Sequence, residues 1–142
     1  MAFRAGRLML EEIEACAKRR ETFGFETTLS GAGHITLLER HKKSGYEAHF
    51  FYLWVRTVSL ALDRVRSRVL QGRHDVPENV VRRRFDRSIR NFLLRYRFLA
   101  DSWMLFDNEG TTPAVVAFQK KDTPRIINRA LYESLLTRYE AL

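Results

Sequence analysis

The longest unbroken apolar run in the chain is Phe50–Val55, six residues inside the stretch YEAHFFYLWV (46–55). Six residues fall far short of the roughly 20 that a membrane-spanning helix needs. They fit a strand. No polar residue alternates with the apolar ones, so the strand is expected to be covered on both faces, as in a parallel sheet. The next segments supply the cover. Val58, Ala61, Leu62, Val65 and Val69 share one helical stripe, and Val81, Phe85, Ile89, Phe92, Tyr96 and Leu99 share another. A buried strand followed by two one-sided helices implies layers of helix on sheet.

The remaining segments extend that pattern. Residues 4–20 read as a helix with Met9, Ile13 and Cys16 inward and Arg19 and Arg20 in the last turn, where cations suit the helix dipole. FGFET (23–27) reads as a short strand and SGAG (30–33) as a turn, and residues 34–44 form a helix stopped by Gly45. Asp75, Pro77 and Glu78 resemble a capping box with proline in the first turn. WMLFDN (103–108) and AVVAF (114–118) read as strands. A last helix is expected from Asp122 or Thr123 through Pro124 to the end, with Ile127, Leu131 and Leu135 inward. The order predicts a single α/β domain over residues 1–142 with a mainly parallel sheet. That sheet looks thin, with two good parallel-strand candidates before the long helices.

Charge is concentrated. Between Arg56 and Arg97 there are twelve arginines, no lysine and four acids, and this segment carries the whole net charge of +8. A region of that kind attracts polyanions, and the planar guanidinium fork matches phosphate. The densest part is GRHDVPENVVRRRFDRSIRNF (72–92). On its helix, Arg83, Arg87 and Arg90 point away from the apolar stripe, while Arg84, Ser88, Asn91 and Arg95 run along one edge of it. Edge positions can meet both core and cleft, so Arg84 is the best-placed fork, with Ser88 and Asn91 as neutral partners. The competing reading is a solvated face with i,i+4 ion pairing, for which Asp86 and Arg90 are spaced.

Several chemistries lack their signatures. There is no G-x-x-x-x-G-K-[ST] loop, because the GAG at 31–33 is followed by His-Ile-Thr. One cysteine and four scattered histidines offer no structural metal spacing, so no metal ligands are assigned. Cys16 sits on an apolar stripe and reads as packing, and a lone thiol fits a reducing compartment. No signal-type segment is visible, and the reading is cytoplasmic, without membrane attachment. The aromatics Tyr52, Trp54 and Trp103 would be stacking residues in a nucleic-acid-binding module, but they fall in expected strands, where core packing is the simpler role.

FETTLSG (25–31), GRHDVP (72–77), RRRFDRSIRNF (82–92) and LADSWMLFDN (99–108), preceded by AFRAGRLMLEEI (2–13), stand in an order and near a spacing that resembles the zeta-toxin-like family of P-loop kinases. The resemblance runs from residue 2 to about residue 120. It implies a three-layer nucleotide-kinase sandwich, ATP and Mg²⁺ as cofactors, and a nucleotide sugar such as UDP-N-acetylglucosamine as a phosphate acceptor, with an antitoxin as a partner in toxin–antitoxin members. It implies that Glu26, Thr27 and Thr28 face the acceptor. It also implies that residues 70–97 form a lid whose Arg73, Arg84 and Arg87 face phosphate. The lid turn departs from the family by having Arg73 where a second glycine is usual. The family's first strand, P-loop, first helix and next strand, with its acidic residue, have no counterpart in these residues. The expectation is therefore an incomplete sandwich that neither transfers phosphate nor binds ATP tightly by itself, because that chemistry depends on the loop's N–H groups, its lysine and magnesium. Exposed sheet edges should invite self-association. The alternatives are a basic nucleic-acid-binding module and a non-catalytic partner completed by a second chain.

Overall fold

The structure, a computed structural model, describes residues 2–140, with side chains from Arg4 onward. It is a mixed α/β fold. Helix α1 (Ala2–Lys18) leads into a segment without regular structure, then α2 (Gly33–Lys43) and strand β1 (His49–Trp54). Helices α3 (Val58–Leu70) and α4 (Glu78–Asn91) follow, and α4 runs on through a π-helical turn (Phe92–Tyr96) into the short α5 (Arg97–Leu99). Strands β2 (Ser102–Asp107), β3 (Ala114–Lys120) and β4 (Pro124–Ile126) precede α6 (Arg129–Arg138).

The sheet has the order β1-β2-β3-β4. Only β1 and β2 are parallel, and the other two pairs are antiparallel, so the expected mainly parallel sheet is not what forms. The connections decide this. The helices between β1 and β2 give a crossover long enough for parallel pairing, whereas short turns join β2 to β3 and β3 to β4 and permit only hairpins.

Three other expectations need correction. FGFET is not a strand, since residues 21–30 belong to no regular element. A strand exists only through a partner's hydrogen bonds, and none lies beside this segment. The last helix begins at Arg129, where Asn128 accepts a hydrogen bond from the Leu131 N–H at 3.1 Å. Pro124 instead opens the edge strand β4, a place that tolerates a missing N–H, and Ile127 lies outside the helix with 64% of its surface exposed. Helix α4 has no capping box. Pro77 is its N-cap, no side chain caps it, and Glu78 pairs with Arg82 at 2.7 Å.

One core holds the layers together. Ile89, Phe92, Leu93 and Tyr96 from α4 and the π turn meet Trp103 and Leu105 of β2, Val116 and Ala117 of β3, and Tyr132 and Leu135 of α6. The Phe92 ring stacks on Tyr52 at 4.6 Å and meets Trp103 edge-on at 5.9 Å. A register shift between Leu105 and Phe106 leaves Val116 unpaired with β2, so both Val116 and Ala117 are buried. The π turn frees backbone carbonyls, and Arg97 donates to one of them, Leu93 O, at 2.7 Å.

The cover of β1 is one-sided. Trp54 is buried and Phe50 and Tyr52 half-buried, but Phe51 is 70% exposed and Leu53 54% exposed. The two-faced burial expected of FFYLWV fails because the π turn packs Phe92 and Tyr96 on the Phe50–Tyr52 face, while Phe51 and Leu53 on the other face stay exposed. Among the described residues no helix is long and apolar enough to cross a membrane.

Candidate functional site

A cavity of about 1320 Å³ opens beside β1. Residues 22–29 form one wall, residues 49–55 the opposite one, and helices α3 and α4 close an end. Each helix offers a regular stripe. Ala61, Val65 and Arg68 come from α3 at i, i+4, i+7, and Val81, Arg84, Phe85 and Ser88 come from α4 at i, i+3, i+4, i+7. Val76, in the turn between the helices, completes that wall.

The opposing segment is held from α4. The Asn91 side-chain amide donates to Leu29 O at 2.7 Å, and the Tyr96 hydroxyl donates to Gly31 O at 2.7 Å. Ser88 donates to Thr28 O, so its hydroxyl is free only to accept, and the Tyr52 hydroxyl lies 2.6 Å away as the donor. Burial pushes the Tyr52 phenol far above its ordinary range, which keeps that proton in place. Leu29 anchors the segment by burying its side chain at a left-handed φ of 52°. Three side chains of one helical rod, Ser88, Asn91 and Tyr96, thus grip three carbonyls of FETTLSG.

This geometry re-sorts the sequence candidates. Glu26, Thr27 and Thr28 line the cavity as expected. Arg84 lines it too. Ser88 and Asn91, expected to touch phosphate, instead spend donors on the Thr28 and Leu29 carbonyls and position the wall. Arg73 and Arg87 are exposed and are not part of the cavity lining. Arg68 was missed. Its signal was legible, because a cation at the i+3 position from Val65 falls on the stripe that Ala61 and Val65 define.

The arginines divide by partner. Arg66 and Arg82 pair with Glu78, and Arg90 pairs with Glu140 at 3.6 Å. The anticipated Asp86–Arg90 pair does not form, because Asp86 accepts from the Tyr139 hydroxyl at 2.8 Å and lies 3.6 Å from Arg138. Arg68 and Arg84 have no ion-pair partner among the described residues, so their charge faces the cavity uncompensated.

His34, at the start of α2, also lines the cavity. Its Nε2 lies 3.1 Å from Thr27 Oγ1, which already accepts from the Leu29 N–H. The threonine proton is therefore best directed at Nε2, which puts the one proton of the neutral ring on Nδ1. Burial holds the His34 pKa below its ordinary value and keeps the ring neutral near pH 7. Two enclosed side-chain nitrogens have no partner among the described residues, His34 Nδ1 and Trp54 Nε1, and both residues line this cavity. Trp54 and Trp103 are buried, and Trp103 donates to Gln119 at 3.1 Å, so neither presents a stacking face. Cys16 is half-buried on α1 near Arg19.

The residues present do not compose a magnesium site. Glu26 and Glu47 are the carboxylates of the cavity, and no three acidic, histidine or cysteine side chains converge among the described residues.

No family model matches the chain, and no solved structure matches it. An uncharacterized protein of Haemophilus influenzae (strain ATCC 51907 / DSM 11121 / KW20 / Rd) is 31% identical over 81 residues, covering 57% of this chain. The match spans 58% of that protein's length.

Proposed function

We propose that the cavity is the phosphate- and acceptor-facing half of a zeta-toxin-like kinase site, in an incomplete P-loop nucleotide-kinase-like sandwich. The observation that carries this reading is convergence. FETTLSG, GRHDVP and RRRFDRSIRNF are separated in sequence, yet Glu26, Val76 and Arg84 line one cavity. In this reading Arg68 and Arg84 grip the oxygens of a polyphosphate, as charge-assisted donors suit. Glu26 and Thr27 face the acceptor, with a nucleotide sugar as its class. The free edge of β1 is where a sheet of that kind would continue.

Phosphoryl transfer needs backbone donors, a lysine and a metal around the transferring group. In this reading the described residues offer two guanidinium groups and no cluster of three metal-ligating side chains, so weak polyphosphate binding without transfer is the expected behaviour. The test is a calorimetric titration of inorganic triphosphate and of ATP, with and without Mg²⁺, beside a radiolabel transfer assay. Weak, salt-sensitive binding that Mg²⁺ does not tighten, with no transfer, fits the reading. Tight Mg²⁺-assisted ATP capture or clear transfer by the chain contradicts it. A nucleic-acid-binding module remains the competing class, and preference for RNA or DNA over triphosphate at matched phosphate concentration would favour it.

A further inference from the structure

Strand β1 has a neighbour on one side only. Strand β2 takes one edge, and no strand among the described residues lies along the other. Across the cavity runs the segment 22–28, which pairs with no strand either, although residues 22–29 and 49–55 line the same space. That space is a slot with unsatisfied backbone along one wall and an unpaired chain along the other. Its β1 wall is apolar, with Phe51 and Leu53 exposed. Its rim is basic, because Arg20, Arg68 and Arg84 outnumber Glu26 and Glu47 even with Lys42 paired to Asp101 at 3.2 Å. Of the two enclosed nitrogens without partners among the described residues, Trp54 Nε1 belongs to the β1 wall and His34 Nδ1 to the start of α2, which lines the same cavity. A long, apolar, unblocked edge is a template for an added strand.

We propose that this slot accepts an extended segment of a second, different polypeptide, added beside β1 as a fifth strand. Its chemistry follows from the walls. Both of its edges must be free to hydrogen-bond, its middle must be apolar to cover Phe51 and Leu53, and its ends must be acidic to match the rim. A second copy of this chain fits the charge poorly, since it carries a net charge of +8 and brings like charge to a basic rim. The inference rests on the sheet edge and the slot and does not depend on the phosphate reading.

The test uses the full chain and a soluble peptide of about nine residues, the length of an ordinary strand, with a valine–isoleucine core and an aspartate at each end. A control peptide of the same sequence carries methyl groups on alternate backbone nitrogens. Amide exchange across residues 49–54, the Trp54 indole resonance and sedimentation velocity are recorded with each. The peptide is expected to slow exchange at 49–54 by about tenfold or more and to shift the indole signal, while the methylated control does neither. Leu53→Lys is expected to abolish the effect with an unchanged melting temperature. No protection at millimolar peptide overturns the proposal. So does equal protection by the methylated control, which would mean apolar adsorption. Protection that grows with chain concentration alone, together with a dimer in sedimentation, assigns the edge to a second copy and overturns it as well.

Discussion

The side of the sheet that meets α4 and α6 is finished, and the β1 edge is not. On the finished side Phe92, Leu93, Tyr96 and Leu105 are fully buried, and the polar groups among them are satisfied, as when Arg97 donates to the Tyr132 hydroxyl at 2.7 Å. On the β1 side Phe51 and Leu53 face the open, the segment 22–28 crosses a cavity without pairing to a strand, and two enclosed nitrogens have no hydrogen-bond partner among the described residues. The contrast shows that this sequence completes one core and leaves apolar side chains exposed elsewhere, on β1 at Phe51 and Leu53 and on other elements at Leu70 and Phe98. What sets the β1 edge apart is that its exposed apolar side chains stand beside a cavity that Arg68 and Arg84 also line.

The comparison breaks most easily at its largest difference. Phe92→Ala should cost about 3–5 kcal/mol in chemical denaturation, because a fully buried ring leaves a cavity. Phe51→Ala should stay within about 0.5 kcal/mol of the parent. Equal losses at the two positions would mean that β1 is covered on both faces after all.

The grip of α4 on the opposing wall sharpens the comparison at a middle scale. Asn91→Ala leaves the Leu29 carbonyl without its partner and should cost about 1–2 kcal/mol. The more specific sign is local. Amides 25–31 should exchange faster while those of β2 and β3 keep their protection. Uniform acceleration across the chain would show that Asn91 supports the whole core and not the wall.

The smallest expected effect is a pH dependence confined to the open side. His34 has a depressed pKa in the fold, so the folded state resists a proton that the unfolded chain accepts. Its contribution to stability is intact above the ordinary histidine value of about 6.5 and is lost as pH falls below it toward the lower folded value. Denaturation midpoints at about pH 7.5 and about pH 5.5 should therefore differ more in the parent than in His34→Asn. An identical difference in both would place the titrating group elsewhere.

Much of this arrangement was legible from periodicity. The stripes of α3 and α4 and the strands around Phe50–Val55 and Trp103–Asn108 form close to where hydrophobic spacing puts them, and the edge position of Arg84 puts it on the cavity wall. The errors share a physical cause, since each concerns a partner that a sequence does not display. FGFET has strand composition but no neighbour to pair with. FFYLWV has the composition of a doubly covered strand but is packed on one face only. Pro124 signals a helix start equally well as an edge strand, and the short turn to β3 decides between them. Ser88 and Asn91 look like ligand-binding groups until the carbonyls of residues 28 and 29 are placed beside them.

The place an anion takes decides between the cavity and the open helix face. Triphosphate titrated into isotopically labelled chain, with the perturbed resonances mapped, addresses this directly. The predicted result is a response concentrated at Glu26, Thr27, Arg68 and Arg84, with binding weakened about tenfold in Arg84→Ala, as the loss of one charge-assisted contact implies, and little change in Arg87→Ala. A response spread evenly over Arg73, Arg83, Arg87 and Arg95, leaving the cavity wall unmoved, would contradict it.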